Sequence, residues 1–292
     1  DLKDFFNNET GYCKVLSTSE NVFNRIMVGN ITKNSRKISV THSYYDCSST
    51  KDYIDENTIP KDEYSCYLPF NFIKNVDLDI IFYPIYSKTN LKISLIEYDF
   101  FKKTFSIKKN ILEISKNFKK SIILNINKYI KDKNNEKNGY ALIVNSPDKK
   151  IPTRFTFGLN YKNSIIGSNI SSSFKINFGE TKYRRGYHWG PIITGKGNDS
   201  VIALSHFSKK INDKEKIKFN LKIYNEKGVI FNKKFISINP SSHNFYVNKL
   251  LKNKYSKKDS KFMWFTIEAE KNVFVCNHIH INDKGLVGGD HS

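Results

Sequence analysis

Ile217-Lys218-Phe219-Asn220-Leu221-Lys222-Ile223 alternates apolar and polar side chains without a break. Successive side chains of an extended chain point to opposite faces. Ile217, Phe219, Leu221 and Ile223 therefore share one face, and Lys218, Asn220 and Lys222 the other. The same period recurs at Leu91, Ile93 and Leu95, at Phe155 and Phe157, and at Ile236 and Ile238. Such runs are half-buried strands. Asn225-Glu226-Lys227-Gly228 separates two of them and reads as a hairpin turn. Helical stripes are short, the best being Ile126 to Asp132 and Val247 to Asn253. The expected fold class is all-β, antiparallel, of the sandwich type.

Outward from that stretch, the chain resembles itself. Leu91, Ile93, Leu95, Tyr98 and Phe105 match Ile217, Phe219, Leu221, Tyr224 and Phe231. Leu124 and Ile126 match Phe245 and Val247, and Ile143 matches Ile267. Earlier, Arg25-Ile-Met-Val-Gly29 matches Arg154-Phe-Thr-Phe-Gly158. The order is conserved along the chain, which predicts two tandem, internally similar β-sandwich domains. Ser146-Pro147-Asp148-Lys149-Lys150-Ile151-Pro152 has the turn residues and charge of a linker, so the expected domains are 1–148 and 149–292.

Composition narrows the function. The 292 residues carry 48 Lys and Arg against 28 Asp and Glu, a net charge of +20. That balance ordinarily points to a polyanion. Only five of the basic residues are Arg, however: Arg25, Arg36, Arg154, Arg184 and Arg185. Reading bases or clamping phosphates favours the planar guanidinium fork, so nucleic acid ranks last among the expected partners. No apolar run approaches a membrane-spanning length. Gly-x-Gly-x-x-Gly, Walker, Gly-x-Ser-x-Gly and His-Glu-x-x-His signatures are all missing, and this points away from the common nucleotide, hydrolase and protease chemistries.

Of the four cysteines, none forms a C-x-x-C pair. The four cysteines read first as reduced thiols; Cys47 and Cys66 bracket a polar, acidic excursion from Tyr45 to Pro69, and a local disulfide between them in an oxidising compartment is the alternative. The chain begins at Asp1 and not Met, which reads as a processed or trimmed start. The expected location leans to extracellular or cell-surface over cytoplasmic.

Two groups of residues carry candidate chemistry, both in the second copy. The first is a loop holding Tyr183, Arg184, Arg185, Tyr187, His188 and Trp189. Flat apolar rings beside planar donors suit a sugar ring or an anionic saccharide, and equally a protein surface, where Tyr, Trp and Arg are enriched. The second is His278-Ile279-His280, two imidazoles on one strand face, expected to point outward because Val273, Val275, Ile279 and Ile281 look like the core side. With His206, Asp290 and His291 they form a candidate site for a divalent transition metal such as Zn, Fe or Mn.

The leading expectation is thus a non-catalytic recognition module that binds a surface glycan or a protein partner through the aromatic and Arg loop. A metal-dependent enzyme using the histidines is the alternative. A structural subunit of a surface layer, filament or capsid, and hence an oligomer, is a further one.

Overall fold

A computed structural model describes residues 27–31, 38–42, 53–55, 66–83, 89–116, 118, 120–131, 138–148, 150–152, 156–163, 167–173, 175–176, 185–206, 214–255, 259–285 and 287–292. The proposed Cys47–Cys66 pair falls partly outside them. The strands run β1 (Met27–Ile31), β2 (Ile38–His42), β3 (Tyr53–Asp55), β4 (Cys66–Phe70), β5 (Asp77–Phe82), β6 (Leu91–Asp99), β7 (Thr104–Ile114) and β8 (Ile122–Asn125). After a 3-10 turn (Ile126–Tyr129) come β9 (Asn138–Asn145), β10 (Lys150–Pro152), β11 (Thr156–Lys162), β12 (Gly167–Ser173) and β13 (Lys175–Ile176). The remainder is β14 (Gly186–Thr194), β15 (Asn198–His206), β16 (Lys216–Asn225), β17 (Gly228–Ile238), β18 (Ser241–Tyr246), one helical turn α1 (Val247–Leu250), β19 (Lys261–Ala269), β20 (Phe274–Asn282) and β21 (Val287–His291). The two short helical stripes of the sequence are these single turns.

Four antiparallel sheets carry the architecture. Their orders are β12-β11-β5-β8, β13-β4-β9-β6-β7, β14-β19-β16-β17 and β18-β15-β20-β21. The second pair of sheets repeats the first. Strands β4, β9, β6 and β7 stand in the order taken by β14, β19, β16 and β17, and β12, β11, β5 and β8 in the order taken by β21, β20, β15 and β18. The chain is all-β, with two sandwiches of one topology in tandem.

The apolar matches of the sequence follow this equivalence. Leu91, Ile93 and Leu95 on β6 and Ile217, Phe219 and Leu221 on β16 are all buried to within 2%. The match of Ile143 to Ile267 is displaced by one residue: Leu95 pairs with Leu142 and Leu221 with Ile267, so Leu142 is the true counterpart. A one-residue slip changes the face, and Ile143 indeed lies on the opposite side, in a separate cluster. Among the described residues β1 pairs with β2 alone, whereas β11 is central to a sheet, so the described part of the match of Arg25–Gly29 to Arg154–Gly158 has no equivalent in the topology.

Pairing also crosses the junction expected at 148/149. Leu159 on β11 lies opposite Ile80 on β5, and Tyr161 opposite Leu78. Strands β11 and β12 complete the first sandwich, and the topological repeat begins again at β14.

Both halves bury a core between their own sheets. In the second it is built on Ile202, Leu204, Phe219, Leu221, Phe265 and Phe274. Val201, Ala203, Ile279 and Val287 lie on the other face of β15, β20 and β21 and join the core of the first half. Asn71 fastens the two together. Its Nδ2 donates to the His243 carbonyl (3.2 Å) and to Asn244 Oδ1 (2.8 Å), and its Oδ1 accepts from Ser205 Oγ. The Tyr161 hydroxyl donates to the Asn71 carbonyl at 2.8 Å, and Asn244 Nδ2 to that of Phe72 at 2.8 Å.

Candidate functional site

The segment that the sequence presented as a loop becomes strand β14 from Gly186 onward. Alternation then divides its side chains. Tyr187 and Trp189 point outward at 59% and 64% exposure, whereas His188 points into the sandwich at 6%. Arg185 is exposed just ahead of the strand. Tyr183 and Arg184 lie outside the described residues. The aromatic pair therefore sits on an open sheet face, and His188 is not part of it.

That face extends across the sheet. Trp189 lies opposite Thr266, and Pro191 opposite Trp264. Thr266 in turn lies opposite Lys222, and Trp264 opposite Tyr224. Neighbouring strands are about 4.8 Å apart, and residues two apart on a strand about 6.8 Å. The rings thus form a contiguous patch. Trp264 and Tyr224 stack with centroids 5.7 Å apart and planes 2° from parallel. The Tyr224 hydroxyl lies 3.4 Å from Thr266 Oγ1, and Lys222 Nζ donates to Glu268 Oε1 at 2.9 Å. This last bond raises the Lys222 pKa above that of an ordinary ammonium. Phe262, at 68% exposure, closes one end of the patch.

Among the described residues ten large apolar side chains are exposed. Seven of them occupy this one sheet face: Tyr187, Trp189, Phe262 and Trp264 on β14 and β19, with Val229, Ile236 and Ile238 on β17. Singly exposed apolar side chains need no explanation, whereas the rings of β14 and β19 adjoin one another. The equivalent face of the first half is closed. There Ile96, Tyr98, Ala141 and Ile143 form a buried cluster, with Phe100 and Ile107 against it.

The free edge of β14 is blunted. The Trp189 N–H donates to Ser292 Oγ (2.7 Å), the Ile193 N–H to Ser200 Oγ (2.8 Å), and Pro191 between them has no donor. An edge so treated does not template another strand.

The histidines are arranged differently from the expectation. His278 and His280 point into the second sandwich, not outward, because both faces of β20 are covered: one by the second core, the other by the first. The His278 ring packs edge-on to Phe265 (6.0 Å) and lies 5.5 Å from the His280 ring. It also fits against the backbone of Gly190, where a Cβ would come within 2.6 Å of His278 Nδ1. His280 Nδ1 lies 2.8 Å from Ser200 Oγ. Burial pushes both imidazoles down to about 4. Asp290 lies opposite His278 on β21, with its Oδ1 3.1 Å from His291 Nδ1, both part exposed.

His206 stands apart. It is four residues along β15 from Ile202, which faces His278, a distance of about 13 Å. Its Nδ1 reaches Ser237 Oγ at 3.1 Å, and His243 Nε2 reaches the same oxygen at 3.2 Å. Both of these imidazoles are also lowered to about 4, chiefly by burial. The Cys276 thiol is buried and its pKa is raised by that burial. Among the described residues no three His, Cys, Asp or Glu side chains converge so as to hold a metal ion.

A cleft of about 370 Å³ opens where the halves meet, lined by Lys74, Asn163, Asn198, Asp199, Asn282 and Asp283 among others. Burial raises the Asp199 pKa, while the Asn248 and Ser200 N–H groups that it accepts oppose the rise. Among the described residues, no helix is long and apolar enough to cross a membrane.

No protein family and no curated protein matches the chain. Among solved structures, a calcium-binding mutant of a β-glucuronidase from Bacteroides uniformis aligns over 80% of this chain and 27% of its own, at 9% identity and a TM-score of 0.23. A glycosyl hydrolase family 2 member from Bacteroides cellulosilyticus aligns over 91% and 34%, at 10% identity and a TM-score of 0.20. A nodavirus structure from Macrobrachium rosenbergii aligns over 91% and 99%, at 8% and 0.16. The chain spans about a third or less of the length of the two glycosidases.

Proposed function

We propose that this chain is a non-catalytic recognition module whose outer face of β14-β19-β16-β17 binds a surface glycan. The observation that carries this reading is the aromatic patch of Tyr187, Trp189, Phe262 and Trp264, left open on the second sandwich where the first buries its own counterpart. Indole and phenol rings offer flat apolar surfaces on which the C–H face of a pyranose stacks. Lys222 and Glu268 lie within the same field of side chains and supply donors and acceptors that fix the orientation of hydroxyl groups. This reading puts Tyr187 and Trp189 on a sheet face, with Arg185 at its margin.

A glycan array probed with the whole protein tests the reading. Trp264→Ala and Trp189→Ala are expected to lose at least about tenfold in affinity for any glycan bound, as removal of a central aromatic anchor does. Unchanged binding in both variants would remove the face from the account. A protein partner is the second reading. It is favoured by Ile236 and Ile238, which are exposed on the same face beside Lys218 and Lys216. A second copy of this chain seated there would make the module an assembly subunit, and sedimentation of the wild type against Trp264→Ala separates that case.

A further inference from the structure

The open face has two halves of different character. Strands β14 and β19 present the rings, and strands β16 and β17 present lysines. Lys216, Lys218 and Lys234 are all exposed on this face, and among the described residues none has a carboxylate partner. Lys218 lies opposite Ile236, so Lys234, two residues before it, is the diagonal neighbour of Lys218, about 7–8 Å away. Like charges at that spacing repel each other slightly when nothing lies between them. The carboxylates on the face are Glu268 and Glu270. Glu268 is already neutralised by Lys222, and Glu270 accepts the Lys218 backbone N–H at 3.1 Å.

We infer that the glycan taken by this face is an acidic polysaccharide, stacked on Trp189 and Trp264 and held through its carboxylates by Lys218 and Lys234. The inference rests on the glycan reading above and adds the charge of the ligand. The excess of lysine over carboxylate on the face has the sign of the whole chain, so the long-range field draws the same ligand in. Nucleic acid fits less well. The cations that β16 and β17 present are ammonium groups, not the guanidinium forks that clamp phosphates.

The test measures binding of polygalacturonate and hyaluronan, each beside its carboxyl-reduced form, at about 50 mM and about 500 mM salt. Both acidic polymers are expected to bind about tenfold or more tighter than the reduced polymers at low salt, and the gap should close at high salt. The double variant Lys218→Gln/Lys234→Gln should lose about tenfold toward the acidic polymers and keep its affinity for the reduced ones, which also shows that it is folded. Equal binding of acidic and reduced polymers would overturn the inference while leaving the glycan reading intact. So would a thymidine oligonucleotide that displaces the polymers from the face. Failure of both acidic polymers to bind would also overturn it. If Trp264→Ala and Trp189→Ala both bind every polymer as the wild type does, the glycan reading itself fails.

Discussion

Gly190 shows how one small residue governs the second sandwich. It lies on β14 with its Cα against the His278 ring, and a methyl group there would come within 2.6 Å of His278 Nδ1 and 2.9 Å of Phe265 Cε1. Gly190→Ala is expected to cost about 1–3 kcal/mol by forcing the imidazole aside, read from urea unfolding midpoints at unchanged slope. The buried histidines make a second statement at this scale. His206, His243, His278 and His280 all have folded pKa values lowered to about 4, against 6.5 when unfolded. Between those values the unfolded chain binds more protons than the folded one. Stability is therefore full above about pH 6.5 and falls as pH drops toward 4, by about 3 kcal/mol for each histidine if it acted alone. Urea unfolding at pH 7 and pH 5 should show a marked loss at the lower pH. A midpoint independent of pH over that range would contradict the buried, neutral state of these rings.

Elements explain what the sequence revealed and what it hid. The run from Ile217 to Ile223 was legible because β16 has one buried and one exposed face, so polarity reports orientation directly. Strand β19 was not. In Lys261-Phe262-Met263-Trp264-Phe265-Thr266-Ile267 both faces carry large apolar residues, and only the burial of Met263, Phe265 and Ile267 shows that Phe262 and Trp264 point outward. The rings of β19 are the part of the proposed face that the sequence reading missed, and two aromatics out of phase with the core of a strand were the signal available. Strand β20 misled for the opposite reason. Its valines and isoleucines do face a core, but that core belongs to the first half, and the histidine side faces another. The segment around 148 resembles a linker in composition, yet long-range pairing of β11 with β5 leaves no trace in local sequence. We propose that the working boundary lies in the segment between β13 and β14. Leu159→Ala, at a fully buried site opposite Ile80, should cost about 2–5 kcal/mol and raise amide exchange in β5 before β16. Exchange that rises first in β16 would argue for the earlier boundary.

At the scale of the molecule, duplication and docking have left the two sandwiches unequal. The sheet β18-β15-β20-β21 is covered on both faces, which accounts for its unbroken burial from Ser200 to His206. The junction is polar as well as apolar, and Asn71 serves residues of β15 and β18 at once. Asn71→Ala strands the Ser205 hydroxyl and the Asn244 amide oxygen without their present partner. A loss of about 2–4 kcal/mol is expected, with both halves melting at lower temperature in calorimetry. An unaltered melt would mean that the halves are energetically independent. Among the described residues, what stays open is the outer face of β14-β19-β16-β17, where the rings and lysines gather.

Both tryptophans of the chain, Trp189 and Trp264, stand on that face, so its intrinsic fluorescence reports on the face alone. The most direct measurement is therefore acrylamide quenching of tryptophan emission during titration with a bound polysaccharide. The account predicts that quenching falls and emission shifts to the blue in step with binding, as ligand covers the indoles. Saturable binding that leaves tryptophan quenching unchanged would contradict it.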